Sequence, residues 1–164
     1  MNPGSSPCVD ITGSVRGLGT SSRVGLRLAL KPKAALMGTV DGAWWPRSTD
    51  PLAEFPAMIA GIELHRGPVN RVAFNSIVWD GAPDRVVVDG AVVELEGFRS
   101  LDHRTVLVSG VNWHRMVLLV IPPEAKEPAA IAAIERAASD YNTEHAAQIL
   151  IASGADRGAM YPGV

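Results

Sequence analysis

The chain has 164 residues, of which 47% are hydrophobic, and a formal net charge of −2 at pH 7. This length fits one domain with its own core, and the slightly acidic balance argues against nucleic acid as a partner, since nucleic-acid-binding surfaces are basic. The single cysteine, Cys8, excludes an internal disulfide and a cysteine-based metal cluster. We see no signal-peptide pattern and no apolar run long enough to cross a membrane, so we expect a cytoplasmic protein without a cofactor.

The amino-terminal stretch differs in composition from the rest of the chain. Residues 1–22 are rich in Gly, Ser and Thr and show no periodicity, which predicts a flexible leader. A single α+β domain is expected over residues 23–154. Residues 155–164 are expected to form a frayed tail.

Two short extended segments open the predicted domain. Residues 23–30, RVGLRLAL, alternate apolar with other side chains in the manner of a half-buried strand. Residues 36–40, LMGTV, form the second extended segment. Asp41 and Gly42 then predict a turn.

A helix is predicted after this turn. Asp50 suits the N-cap position, and Pro51 suits the first helical position. Pro56 removes one backbone hydrogen bond, so a kink or a late helix start is expected. The apolar stripe has helical spacing and consists of Phe55, Met58, Ile59 and Ile62.

The middle of the chain has the pattern of β-strands. The extended runs are NRVAFNSIVWD (70–80), RVVVDGAVVEL (85–95), TVLVSG (105–110) and NWHRMVLLVIPP (112–123). Asp89 and Gly90 form the preferred two-residue hairpin turn, because both residues tolerate a positive φ. The short loops between the runs predict antiparallel neighbours in a meander.

An alanine-rich region ends the domain. Residues 127–154 have a helical pattern, either as two helices with a break near Asn142 or as one bent helix, and Gly154 suits the carboxyl-terminal cap. Together, the predicted elements indicate an α+β fold with a single twisted antiparallel sheet of six to seven strands, either open or curled toward a barrel. One inserted helix and one or two C-terminal helices would cover one face of this sheet.

Two adjacent tryptophans within DGAWWPRSTD raise the first functional question. Neighbouring residues of a strand point to opposite faces, so Trp44 and Trp45 cannot enter the same layer, and Pro46 favours an extended Trp45. In one interpretation both indoles are core anchors and Arg47 is solvated or ion-paired. In the other, an indole and the Arg47 guanidinium form a platform for a planar or anionic ligand.

A larger polar-aromatic patch forms if two strand faces coincide. Alternation places Asn75 and Trp79 on one face of their strand, and Trp113 and Arg115 on one face of theirs. The alternative is a second, minor core. The candidate ligand-binding residues are therefore Trp44, Trp45, Arg47, Asn75, Trp79, Trp113 and Arg115.

The sequence contains no complete catalytic or metal-binding motif. The four histidines lack metal-ligand spacing, and there is no nucleophile elbow. His114 with Asp80 or Asp102 is a candidate acid–base pair, whereas His103 beside Asp102 favours a solvated pair in a turn. The carboxylates of Glu94 and Glu96 share one strand face, and the Arg99 guanidinium is a candidate partner for them.

Five segments together resemble a known group of proteins. They are RLALKP, DGAWWPRSTDPLAEFPAMIAGI, AFNSIVWD, GFRS and MVLLVIPP. The chain resembles, over residues 24–152, a family of short soluble proteins of unknown function from actinobacteria, including mycobacteria, marked by the DGAWWPRS and LLVIPP motifs. The resemblance implies a soluble domain and transfers no catalytic residue.

The expected function is non-enzymatic binding of a small molecule or a protein through a face lined by Trp and Arg. Two alternatives remain open at this point. One is a small enzyme of hydrolase or lyase type with a His/Asp acid–base pair. The other is an interaction subunit of a larger, stress-related assembly.

Overall fold

The computed structural model describes five stretches of the chain, namely residues 25–32, 40–79, 81–113, 115–139 and 142–155. Along them the elements follow the order β-β-α-β-β-β-β-β-α-α, which confirms the α+β class. The expected leader, residues 1–22, lies outside the described residues, as does the expected tail from residue 156 onward. Ala155 is described, is buried and donates its backbone N–H to the Leu150 carbonyl.

Seven strands and three helices make up the described fold. The strands are β1 (Leu28–Leu30), β2 (Gly42–Trp44), β3 (Val69–Asn75), β4 (Arg85–Val88), β5 (Ala91–Phe98), β6 (Thr105–Gly110) and β7 (Met116–Val120). The helices are α1 (Pro51–Arg66), α2 (Glu127–Ala137) and α3 (Ala146–Ser153). Within the described stretches, no helix combines the length and the apolar character needed to cross a membrane.

All seven strands form one open sheet in the order β1-β2-β7-β6-β3-β5-β4. The expected hairpin of β4 and β5 is present, with positive φ at Asp89 and Gly90. The sheet differs from a simple antiparallel meander because β3 lies between β5 and β6. This insertion makes β3 parallel to β5, and β2 is likewise parallel to β7, so the sheet is mixed.

The second strand comes later in the chain than predicted. It spans Gly42–Trp44, whereas residues 36–39 of the expected segment lie outside the described residues. Gly42 is therefore part of a strand, where it pairs with Leu30, and the predicted turn at this position is wrong. A Cβ on Gly42 would collide with the carbonyl oxygen of Ala29, so the close approach of β1 to β2 requires glycine here.

Helix α1 begins where its capping signal predicts. The Asp50 carboxylate accepts a hydrogen bond from the Leu52 N–H at 3.1 Å, and Pro51 is the first helical residue. The helix continues through Pro56, so the late start does not occur. The expected apolar stripe is buried as predicted and comprises Phe55, Met58, Ile59 and Ile62.

Helices pack on both faces of the sheet, not on one face as predicted. Helix α1 lies on the face that carries Trp44 and Val72, where it forms the first core. Helices α2 and α3 pack on the opposite face, where Ala43, Trp45 and Leu119 contribute to a second core. The second core includes side chains of β1, β2 and β7, and none from β3, β4 or β5 among the described residues.

Two separate helices, not one bent helix, end the described fold. Helix α3 begins after the N-cap residue His145 and ends at Gly154, which has the left-handed conformation expected of a cap, with φ 79°. The connection between α2 and α3 is tied down at two points. The buried Lys31 donates from Nζ to the Asn142 carbonyl at 2.9 Å, and Arg136 forms a bidentate ion pair with Glu144.

Candidate functional site

The two adjacent tryptophans point into two different cores. Trp44 is 1% exposed in the first core, beneath α1, and Trp45 is 7% exposed in the second core, against α2 and α3. The predicted opposite orientation is confirmed. Both indoles are core anchors, and neither forms an open platform on the surface.

Trp79 meets Trp44 inside the first core. Their rings stack with centroids 5.4 Å apart and an interplanar angle of 6°. Phe55 of α1 lies against both rings, with its centroid 4.8 Å from that of Trp79 and 6.0 Å from that of Trp44. The aromatic cluster therefore joins α1, β2 and the turn that follows β3.

The guanidinium beside Trp45 belongs to Arg27 and not to Arg47. Arg27 lies 3.7 Å from the Trp45 ring centroid and donates from Nε to the Trp45 carbonyl at 3.0 Å. Arg47 is exposed and donates to the Gly25 carbonyl at 2.8 Å. The sequence contained a signal for this contact. Alternation along β1 places Arg27 on the same face as Ala29, and this face of the sheet also carries Trp45.

Burial changes the acidity of the Arg27 guanidinium. Burial and, to a smaller extent, the nearby Arg47 together lower the pKa of Arg27 to about 10, while Glu54 and Glu127 oppose the shift. Arg27 therefore stays protonated at neutral pH. A protonated guanidinium over an indole is a cation–π contact, so the ligand-accessible face of Trp45 is already occupied by the protein itself.

Asn75 has a structural partner for each end of its amide. Its side-chain oxygen accepts the backbone N–H groups of Ile77 and Val78 at 2.8 and 3.0 Å. Its side-chain NH₂ donates to the Leu101 carbonyl at 2.7 Å. Asn75 thus closes the turn that carries Trp79 into the first core.

The predicted faces of β3 and β7 lie on the same side of the sheet, but only Asn75 and Arg115 of the four predicted residues follow them. Asn75 ends β3 on the face opposite α1, and the exposed Arg115, which precedes β7, falls on that same face by alternation from Met116. Trp79 and Trp113 lie beyond the strand ends, in turns, where alternation no longer applies. Both pack against the first core, so the predicted set is distributed over both faces of the sheet.

Two indole N–H groups lack hydrogen-bond acceptors among the described residues. Nε1 of Trp79 and Nε1 of Trp113 are both buried atoms without a partner. In contrast, Trp45 donates from Nε1 to the Pro122 carbonyl at 3.1 Å. A buried donor without an acceptor is uncommon in folded proteins and calls for an explanation such as an internal water or a ligand.

The candidate catalytic residues are only partly within the described stretches. His103 is buried, so the expected solvation of this side chain is wrong. The Asp102 carboxylate accepts the Arg104 backbone N–H at 2.9 Å. His114 and Asp80 lie outside the described residues, and within those residues no group of three His, Cys, Asp or Glu side chains is arranged to hold a metal ion.

One part of the sheet surface carries no helix among the described residues. It is the side of β3, β5 and β4 that faces away from α1, and we call it the open half-face. Phe98 is its largest exposed apolar side chain, at 46% exposure. The solvent-exposed or half-exposed side chains that define the open half-face are Arg71, Arg85, Val87, Val92, Glu94, Glu96 and Phe98.

The charges at the centre of the open half-face form a small network. Arg71 lies 3.5 Å from Glu94 and 3.6 Å from Glu96, so it pairs with the carboxylates for which Arg99 was a candidate partner. The difference arises because β3, not the loop after β5, lies beside these glutamates. The sequence indicates exposed charges on both β3 and β5. Their pairing depends on β3 lying next to β5, and the alternation of side chains does not specify this strand order.

A family model matches residues 27–137, from one residue before β1 to the last residue of α2. The chain belongs to the family of unknown function DUF5994. The matched region includes both adjacent tryptophans and the whole open half-face, and it ends before α3. No curated protein and no solved structure matches the chain.

Proposed function

We propose that the protein is a non-enzymatic binding domain that engages a protein partner through the open half-face. The supporting observation is the uneven cover of the sheet: β1, β2 and β7 contribute to a core on each side, whereas β3, β4 and β5 contribute to only one. An exposed sheet surface with an aromatic residue at one end and two valines at the other suits a macromolecular partner.

The chemistry of the open half-face also favours a protein partner. Aromatic and arginine side chains are enriched at the energetic centres of protein interfaces, and Phe98 and Arg71 stand on adjacent strands here. Exposed ion pairs contribute only about 0–1 kcal/mol to stability. Arg71 and Glu94 can therefore give up their own pair and bind charged groups of a partner with little loss of stability. The strands already fix the backbone of these residues, so binding requires no backbone ordering, which limits the entropy lost.

The tryptophans have a supporting role in this proposal. Trp44 and Trp79 fix the face of the sheet that α1 covers, and Trp45 fixes the other face to α2 and α3. Of the residues that the sequence suggested for binding, Asn75 and Arg115 lie on the side of the sheet that carries the open half-face. Arg115 is exposed and extends the proposed surface toward β7, whereas Asn75 is buried and its amide is engaged in the turn after β3.

Affinity capture with matched variants tests this proposal. Tagged wild type, Phe98→Asp and Arg71→Glu are used to capture proteins from cells of the source organism, beside the control Leu64→Asp, which alters an exposed apolar residue on α1. We expect a partner that both half-face variants lose and that the control retains. Capture of nothing by the wild type, or equal capture by all four chains, would overturn the proposal.

A small-molecule ligand is the second candidate. The observation that favours it is the pair of buried indole N–H groups of Trp79 and Trp113 that have no acceptor among the described residues. Native mass spectrometry of the purified chain would then show an added mass that is lost in Trp113→Phe. A mass equal to that of the polypeptide alone would count against this candidate.

The setting of the protein is part of the same proposal. We place it in the cytoplasm, because a chain whose only cysteine is Cys8 needs no oxidising compartment to fold. We also propose an actinobacterial source, on the resemblance of the DGAWWPRS block. If the partner stays bound permanently, the protein is an interaction subunit of a larger assembly.

A further inference from the structure

Strand β4 is an exposed edge of the sheet. The strand at the other edge, β1, is buried at all three residues, whereas β4 has exposed side chains at Arg85 and Val87. Edge strands are commonly protected by a proline, a bulge, a charged side chain or short length. β4 is short and carries Arg85, but it contains no proline and its pairing with β5 is free of register shifts. No strand among the described residues pairs with the outer side of β4, so this side is able to accept another strand.

The backbone groups on the outer side of β4 belong to alternate residues. Leu95 of β5 donates its N–H to the Asp84 carbonyl at 2.9 Å, so Asp84 and Val86 direct their hydrogen bonds toward β5. The N–H and C=O groups of Arg85 and Val87 consequently point away from the sheet.

We propose that β4 pairs edge to edge with β4 of a second copy of this chain, antiparallel about a two-fold axis at Val87. In this register the two Val87 residues exchange a pair of backbone hydrogen bonds. Arg85 of each copy then lies beside the β4–β5 turn of the other copy, where Asp89 is the first turn residue, with φ 51°. Both side chains are exposed and of opposite charge, so the two-fold axis creates two complementary pairs.

Charge selects this register over its neighbours. An axis at Arg85 would place two guanidinium groups opposite each other, and an axis at Val86 would set each Arg85 against a valine. Only the axis at Val87 matches each Arg85 with a carboxylate.

The apolar surface is consistent with the same axis. Val87 and Val92 are cross-strand partners on the open half-face and are 62% and 54% exposed. The two-fold axis joins the valine pairs of both copies into one stripe, so each copy covers part of the other's exposed apolar surface. One short strand pairing buries little area, so we expect a concentration-dependent dimer and not an obligate one.

Analytical ultracentrifugation of the full chain over a range of concentrations tests self-association. We expect the apparent mass to rise from 17.3 kDa toward twice that value as concentration increases. Val87→Lys should remain at the monomer mass, while the control Leu64→Lys, an equally exposed change on α1, should follow the wild type. A wild type that stays at the monomer mass throughout would overturn the proposal.

A charge exchange tests the register itself. Arg85→Glu and Asp89→Lys should each lose self-association, because each alone places like charges opposite. An equal mixture of the two should recover it, since a mixed dimer contains two restored pairs. Failure of the mixture to associate, while the wild type does, would overturn the register.

This inference goes beyond the proposed function, because it concerns the backbone groups at the edge of β4. The two surfaces share Arg85, Val87 and Val92, but Phe98 belongs to the open half-face alone, beyond the residues of β5 that pair with β4. Phe98→Asp should abolish partner capture and leave self-association unchanged, so the failure of one idea can be told from the failure of the other.

Discussion

Trp44 and Trp45 occupy neighbouring positions at the end of β2, and each anchors a different layer of the molecule. Trp44 stacks on Trp79 beneath α1, while Trp45 lies under the Arg27 guanidinium and donates to Pro122 on the other side. A single dipeptide therefore fixes both faces of the sheet. This use of the two largest side chains explains the unusual sequence without an exposed aromatic platform.

A comparison of two substitutions tests this description at the residue scale. Trp79→Ala removes a fully buried ring from the aromatic cluster, so we expect the free energy of unfolding to fall by about 3–5 kcal/mol. Arg47→Ala alters an exposed side chain, and the expected loss is below about 1 kcal/mol. Urea unfolding followed by circular dichroism measures both values.

Trp79→Phe provides the control for ring volume. It keeps an aromatic ring in the cluster and removes an N–H that has no acceptor among the described residues, so its loss should be smaller than that of Trp79→Ala. If Trp79→Ala were as stable as Arg47→Ala, Trp79 would not be a core anchor.

At the scale of elements, the link between α2 and α3 includes one carboxylate with a lowered pKa, that of the half-buried Glu144. Hydrogen bonds from Arg136 and Asn142 lower the pKa of Glu144 from 4.5 to about 2. A carboxylate with a lowered pKa contributes its stabilisation fully above the ordinary pKa and loses it as the pH falls toward the lowered one. The helix pair should therefore loosen in acid over this window.

Glu144→Gln is expected to remove this part of the pH dependence. Between about pH 5 and about pH 3 the urea midpoint of the wild type should fall more steeply than that of the variant, because only the wild type carries the shifted carboxylate. Glu135→Gln, at an exposed position of α2, should keep the wild-type slope. Parallel slopes for all three proteins would show that the Glu144 ion pair has no role in acid stability.

Local sequence signals were sufficient for most of the elements and for their order, but they placed the second strand too early and left open whether one or two helices end the domain. The Asp50 cap and the Asp89-Gly90 turn depend on neighbouring residues only, so their positions could be predicted. The position of β3 between β5 and β6 could not, because it depends on contacts between residues far apart in the chain. For the same reason the pairing of Arg71 with Glu94 was missed.

The candidate site was predictable to a similar extent. Alternation correctly placed Trp44 and Trp45 on opposite faces, since both lie in or next to a strand. It failed for Trp79 and Trp113, which lie in turns where the chain has already left the strand geometry. The open half-face itself depends on where α2 and α3 dock, and helical periodicity does not contain that information.

At the scale of the whole molecule, the sheet is covered on one face by α1 and on part of the other by α2 and α3. The covered part of the sheet forms a structural scaffold, and the uncovered part forms a surface. The tryptophans belong to the scaffold, and the charged and apolar residues of β3, β4 and β5 form the surface. We propose that binding takes place on this surface.

The most direct test is a nuclear magnetic resonance titration of the isotope-labelled protein with the partner that the wild type captures. We predict that the largest amide shifts fall in β5, between Val92 and Phe98, and in β3 near Arg71. The segment from Trp44 to Arg47 should remain unchanged. If the largest shifts fall instead at Trp44 to Arg47 and β5 is unaffected, the open half-face is not the binding surface, and the segment that contains the two tryptophans is.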